Sequence, residues 1–200
     1  CSCWRLNSLL YIKIYGGDSM NIFIGGSSRE NIDNYYYQES IKIATYLSKK
    51  RYNLIVGCDV GLLEKVTNIF NKNNQDIMIM EADCYRKKNN SYNYPVYHHN
   101  TIADRKSSLI SNSNLVLFLP GGIGTFDEIL TIIESKRAKE HNLPIVILNL
   151  NHYYDDLEKM LNKAYEEKFA DYDENLYKII DNTKDAIAYI ENIGDNNEGK

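Results

Sequence analysis

"LFLPGGIGTFDEIL", Leu117 to Leu130, decides how this chain is read. An apolar run enters a proline and three glycines, then a threonine, then Asp127 and Glu128. The continuous apolar stretch Leu115–Leu119 suits a strand buried on both faces, as in a parallel sheet. Glycines let a ligand approach the backbone closely. A helix that follows presents unpaired N–H groups and the positive end of its dipole. Together these suit a phosphate, and Thr125 adds a hydroxyl. No Gly-Lys-Ser/Thr is present, so this is not a P-loop, and the spacing and strand position are not those of a dinucleotide fingerprint. The loop fits a monophosphate better than a triphosphate or pyrophosphate. A second reading stands beside that one. Thr125 and Glu128 have the spacing of a capping box, which would leave Glu128 structural.

The rest of the chain alternates in the same way. Short apolar runs at 21–25, 53–57, 76–80, 115–119 and 144–150 predict strands, with a further short strand near 95–97. Amphipathic stretches at 33–50, 60–73, 102–112, 126–140, 153–168 and 183–192 predict helices, with the apolar "YKII" between the last two. Strand and helix in alternation mean right-handed βαβ units. The expected fold is α/β, a Rossmann-like three-layer domain with a central parallel sheet flanked by helices. In such sheets ligands bind at the carboxyl ends of strands, where the strand order reverses. "GGSS" (25–28), "GCDVG" (57–61) and "PGGIGT" (120–125) all lie at such ends.

Composition narrows the classes. A length of 200 residues suits one domain with a real core. A net charge of −4 argues against a dedicated nucleic-acid binder. No apolar run approaches the roughly 20 residues of a membrane span. Cys1, Cys3, Cys58 and Cys84 make no disulfide framework, which points to a reducing cytoplasm. Cys1 and Cys3 lack a second half-site at metal-ligand spacing. His98 and His99 read as an exposed pair rather than metal ligands. Gly16-Gly17-Asp18 can be encoded by a ribosome-binding sequence just before the codon of Met20. Residues 1–19 are therefore expected to be a non-native or disordered leader, the alternative being a genuine N-terminal extension. A single domain is expected over 20–193 and a disordered tail over 194–200.

"PGGIGTFDE" resembles the PGGxGTxxE signature of the Lonely Guy (LOG) family, the cytokinin-activating phosphoribohydrolases. The resemblance covers nearly all of the chain from Met20. "IFIGGSS" with the helix and strand after it resembles the family's opening. "TIADRKSSLISNSNLVLFLPGGIGTFDEI" resembles its "RK" helix, next strand and glycine loop in register. "EHNLPIVILNLNHYYDDL" resembles its His-x-x-Pro strand and paired tyrosines. The resemblance implies hydrolysis of the N-glycosidic bond of AMP or an N6-modified AMP, giving free base and ribose 5-phosphate. It implies a 5′-phosphate held by Gly121, Gly122, Gly124 and Thr125, with Ser27 and Lys106 also at the nucleotide; Asp59, which the family pattern lacks, is expected at the pocket as a contact to ribose hydroxyls or the base. It implies Glu128 and Arg105 as the catalytic residues, no metal or redox cofactor, and a homodimer with "TIIESKRAKEH" near the contact.

The chain departs from the family in two places. Gly57-Cys58-Asp59 stands where a glycine triplet is usual, which places a carboxylate near the pocket. Ile133-Glu134-Ser135-Lys136-Arg137 lacks the family's tryptophan. Two rivals follow: a nucleotide-binding sensor without turnover, and a phosphorylase. Decarboxylase chemistry would need pyridoxal phosphate on a Schiff-base lysine, and no lysine is set apart for it.

Overall fold

The computed structural model describes residues 20–85 and 93–197. The expected leader and Cys1 and Cys3 lie outside these residues, as does the end of the expected tail, 198–200. The strands are β1 (Asn21–Gly25), β2 (Asn53–Val56), β3 (Ile77–Ala82), β4 (Val96–His99), β5 (Leu115–Phe118), β6 (Ile145–Leu148) and β7 (Lys178–Ile180). The helices are α1 (Asn34–Lys49), α2 (Leu62–Lys72), α3 (Ile102–Ser111), α4 (Ile123–Arg137), α5 (Asp155–Glu166) and α6 (Thr183–Asn197). Thus α6 carries helix into the segment read as a disordered tail.

The strands of the described residues form one parallel sheet in the order β4-β3-β2-β1-β5-β6-β7. From β1 the chain steps outward to β4, then returns to the other side of β1 as β5. The order reverses between β1 and β5, so their carboxyl ends open a crevice.

Period-two alternation sends successive side chains to opposite faces. Ile22, Ile24, Leu54 and Val56 meet Ile43 and Leu47 of α1, Val66 and Phe70 of α2 and Ile190 of α6. Phe23, Ile55, Val116 and Phe118 meet Leu109 of α3 and Ile129, Ile132 and Ile133 of α4. Both layers are buried, which is why these strands read as largely apolar runs. Phe23 and Phe118 pack edge to face at 5.8 Å. Each such fully buried side chain contributes about 1.5–3 kcal/mol.

The start of α3 carries a threonine cap. Thr101 Oγ1 accepts from the Asp104 N–H (3.0 Å) and donates to its carboxylate (2.7 Å). That cap fixes the entry of the helix carrying Arg105. No helix among the described residues is long and apolar enough to cross a membrane.

Candidate active site

The two lips of the crevice are Gly25–Ser28 and Pro120–Gly122. Main-chain bonds join them: Leu119 N–H donates to Gly25 O (2.8 Å) and Ser27 N–H to Pro120 O (3.1 Å). A third bond, Leu62 N–H to Ser27 O (3.1 Å), ties in the start of α2. Gly61, at φ +65°, makes that approach possible, because a Cβ there would lie 2.5 Å from the Ser28 carbonyl carbon.

Helix α4 begins three residues earlier than the sequence suggests. Gly122 is its N-cap with no side-chain cap bond, and Thr125 is already inside the first turn. The capping-box reading of Thr125 and Glu128 therefore fails. Thr125 Oγ1 donates instead to Gly26 O across the crevice (3.3 Å), with Thr125 buried. The first intrahelical bond is Phe126 N–H to Gly122 O (3.0 Å). Helix geometry leaves the N–H groups of Ile123, Gly124 and Thr125 without an intrahelical acceptor. Gly122, Ile123 and Gly124 are exposed, while Thr125 is buried.

The loop is gripped from behind. Tyr153 OH donates to Gly121 O (2.6 Å) and Tyr154 OH to Leu119 O (2.8 Å). Asn149 holds this corner, accepting from Tyr154 N–H (2.6 Å) and donating to Asp155 and Asp181 (2.9 Å each). Phe126 lies parallel to Tyr153 and Tyr36 meets it edge-on. Sequence reasoning noted the paired tyrosines but gave them no such task; only their place just after a strand end hinted at it.

Glu128 and Arg105 meet beneath the loop. Both are buried, at 7% and 8% exposed. Arg105 Nη2 donates to Glu128 Oε1. Two strand-end glycines make room for the pair. A Cβ on Gly57 would lie 2.6 Å from Arg105 Nη1, and one on Gly25 would lie 3.2 Å from Glu128 Oε2. The Tyr85 ring stands 5.8 Å from the guanidinium carbon. Arg105 Nε is buried and has no hydrogen-bond partner among the described residues. Burial raises the Glu128 pKa above the ordinary carboxylate value, and the adjacent guanidinium opposes that rise.

The other expected site residues divide. Ser27 stands on the lip, its Oγ accepting from Arg29 N–H (3.0 Å). The Lys106 ammonium does not project at the loop; it bonds Asp127 (2.9 and 3.0 Å) and Thr131 (2.8 Å). The Asp59 carboxylate turns toward α2 and accepts from Thr67 Oγ1 (2.5 Å). Its pKa is raised by burial, with the Thr67 bond opposing. Burial pushes the Cys58 thiol up to about 11, so it stays protonated and is no nucleophile at neutral pH. His98 lies 3.4 Å from Glu81. Among the described residues no group of three or more His, Cys, Asp or Glu is placed to hold a metal ion.

A cavity of about 920 Å³ lies elsewhere, reached by Asn21, Asn53 and Asn112 at the opposite ends of the strands and by Met78 and Tyr97 along the β3–β4 edge. None of the glycine-loop residues, Glu128 or Arg105 lines it. Donors and charge, not hollow volume, mark the candidate site.

Comparison with known proteins agrees with this geometry. A family model described as "Possible lysine decarboxylase" matches residues 64–190. The chain is 26% identical over 152 residues to "Cytokinin riboside 5'-monophosphate phosphoribohydrolase LOG2" of Arabidopsis thaliana, covering 74% of this chain and 70% of that one. It is 34% identical over 86 residues to "Probable cytokinin riboside 5'-monophosphate phosphoribohydrolase LOG4" of Oryza sativa subsp. japonica, covering 42% of this chain and 37% of the rice protein. That match spans little more than a third of the rice relative. Among solved structures, a molybdenum cofactor carrier protein from Chlamydomonas reinhardtii superposes with a TM-score of 0.65 at 14% identity, covering 87% of this chain and 97% of that one. A molybdenum cofactor binding protein from Rippkaea orientalis does so at 0.64 and 17% identity, covering 88% and 97%. Those two likenesses speak for the Rossmann-like fold alone. With its signature loop, carboxylate and arginine at the switch point and the family match over most of its length, the chain belongs to the LOG family.

Proposed function

We propose that this protein hydrolyses a nucleoside 5′-monophosphate, AMP or an N6-modified AMP of the cytokinin type, to free base and ribose 5-phosphate. The observation that carries the reading is the placement of Glu128. It is a buried carboxylate, three residues beyond Thr125, on the helix whose open N-terminus forms the glycine loop. A phosphate on the N–H groups of Ile123, Gly124 and Thr125 would be held by the positive end of α4. The ribose would then lie over Glu128.

Breaking the bond from C1′ to the base nitrogen develops positive charge on the sugar. The Glu128 carboxylate stabilises that charge and orients the attacking water. The water oxygen bonds C1′, and its proton ends on the departing base nitrogen. Arg105 favours the ionised form of Glu128 in a buried place and supplies a cation near the sugar phosphate. The family's homodimer, with residues 131–141 near the contact, and a cytoplasmic setting in which the thiols of Cys58 and Cys84 stay reduced, belong to the same proposal.

The test is product analysis. Protein starting at Met20 is incubated with AMP, GMP, CMP, UMP and isopentenyladenosine monophosphate, with and without inorganic phosphate. Free base is measured by chromatography, with Glu128→Ala run alongside. Base release with ribose 5-phosphate as co-product, lost in the variant, supports the hydrolase. Ribose 1,5-bisphosphate formed only with added phosphate would point to a phosphorylase. Binding without release from any nucleotide would replace hydrolysis by a sensor role.

A further inference from the structure

Two consecutive basic residues on α3 face two consecutive acidic residues on α4. Arg105 pairs with Glu128, and Lys106 pairs with Asp127 one residue along each helix. The second pair is built for fixity. The Lys106 Nζ bonds both oxygens of Asp127, at 2.9 and 3.0 Å, and the hydroxyl of Thr131 a turn further on, at 2.8 Å. The two oxygens of one carboxylate lie close enough together to share one N–H of the ammonium, and the Thr131 hydroxyl takes a second. The lysine side chain is only 14% exposed, so solvent screens the contact less than on an open surface.

We infer that Lys106 and Asp127 form a positioning clamp: they lock α3 to α4 beside the Arg105–Glu128 pair, and so fix where the Glu128 carboxylate stands relative to the guanidinium. Lys106 is then a positioning residue, not a substrate ligand. The consequence for turnover rests on the hydrolase reading above; the clamp itself does not.

The clamp also acts on Glu128 through charge. The groups that bear on that carboxylate are Arg105 and Lys106 from α3, Asp127 on its own helix, and the Cys58 and Tyr154 side chains. Asp127 pushes the Glu128 pKa up and Lys106 pulls it down. Removing either clamp partner therefore shifts Glu128 in opposite directions, which loss of fold alone cannot do.

The experiment follows the Glu128 carboxyl by ¹³C NMR, assigned by its absence in Glu128→Gln, in the wild type, Lys106→Met, Asp127→Asn and the exchanged Lys106→Asp/Asp127→Lys protein. AMP binding is measured on each by calorimetry. The expected result is a Glu128 titration displaced upward in Lys106→Met and downward in Asp127→Asn, returned toward the wild type in the exchanged protein, with AMP affinity kept within about twofold since a retained phosphate site needs no Lys106 donor. Where the wild type turns over nucleotide, kcat falls about 10- to 100-fold in each single variant at nearly constant KM. Displacement in the same direction in both variants, or none, overturns the clamp. So does a tenfold or larger loss of AMP affinity in Lys106→Met alone, which would make the lysine a phosphate ligand. An inactive wild type refutes the hydrolase, and the NMR titration still decides the clamp.

Discussion

Replacing Gly57 by alanine adds one methyl group at the end of β2 and tests the site directly. Its Cβ would stand 2.6 Å from Arg105 Nη1, about 0.8 Å short of the 3.4 Å at which ordinary contact begins. The backbone is no obstacle, since among the described glycines only Gly61 has a positive φ. The strain therefore falls on the guanidinium, which is buried and bonded to Glu128. Overfilling a packed site costs about 1–3 kcal/mol. In a domain of this size each kcal/mol lowers Tm by about 2–4 °C. A displacement near 1 Å at a reacting group costs about 100-fold in rate. Gly57→Ala should thus lose a few degrees in a thermal melt and most of its base release, with the Glu128→Ala protein as the floor. The decisive arm is the same substitution in an Arg105→Ala background, where the methyl has free room. The cost should there shrink to within about 0.5 kcal/mol of none, as for a substitution away from any special feature. If Gly57→Ala is harmless, or costs as much without Arg105 as with it, the packing argument is wrong.

Three further outcomes are expected. Gly121→Ala should abolish nucleotide binding in calorimetry, because its Cβ would fall 2.1 Å from Thr125 Oγ1 and break the loop at its first turn; retained affinity would show that the loop does not hold the phosphate. With Glu128 needed as the carboxylate and its pKa raised by burial, kcat should rise with pH along an acid limb lying above the roughly 4.3 of a free glutamate. Arg105→Met should move that limb higher still, since the guanidinium opposes the rise; a downward shift would contradict the electrostatics. His141 accepts the Leu143 N–H at Nδ1 (3.2 Å), so its proton lies on Nε2, facing Ile132 O (3.1 Å) and Ser135 Oγ (3.0 Å). Burial lowers its pKa, so its contribution to stability is complete above about pH 6.5 and is lost as pH falls through the depressed folded value. Melts at neutral and acid pH should show a larger acid loss for the wild type than for His141→Gln, and equal losses would remove His141 from the account.

The sheet was legible because its signal is local. The buried strands are short, mostly apolar runs, β1 ends at Gly25 and Gly57 follows β2, so their existence could be read without partners. The glycine loop was read from its own residues, while Glu128 and Arg105 came from two blocks that resemble the family, "PGGIGTFDE" and "DRK". What escaped was decided by contacts far apart in sequence. Thr125 and Glu128 have capping-box spacing, yet the helix starts at Gly122 because Thr125 is drawn across the crevice to Gly26. Thr101, with the same spacing to Asp104, does cap its helix by accepting from the Asp104 N–H. Asp59 looked like a threat to a bound phosphate; Thr67, eight residues on, turns it away. Lys106 was expected at the nucleotide, and the structure shows its ammonium bonded to Asp127 and Thr131. Tyr153 holding Gly121, and Gly57 making room for Arg105, join parts of the chain that no sequence window contains.

The bonds that join the two lips of the crevice run from amide to carbonyl and involve no side chain of Leu119, Ser27, Pro120 or Leu62. The frame is therefore indifferent to much of the lettering around it. Point mutations at Ser27, Ser28 or Ile123 can alter what the mouth recognises while the scaffold that presents the anion site stays closed. Gly61 and Gly121, by contrast, are fixed by steric demand. A lineage built on this plan can change its ligand in small steps, with selection tightest on the glycines and loosest on the residues between them.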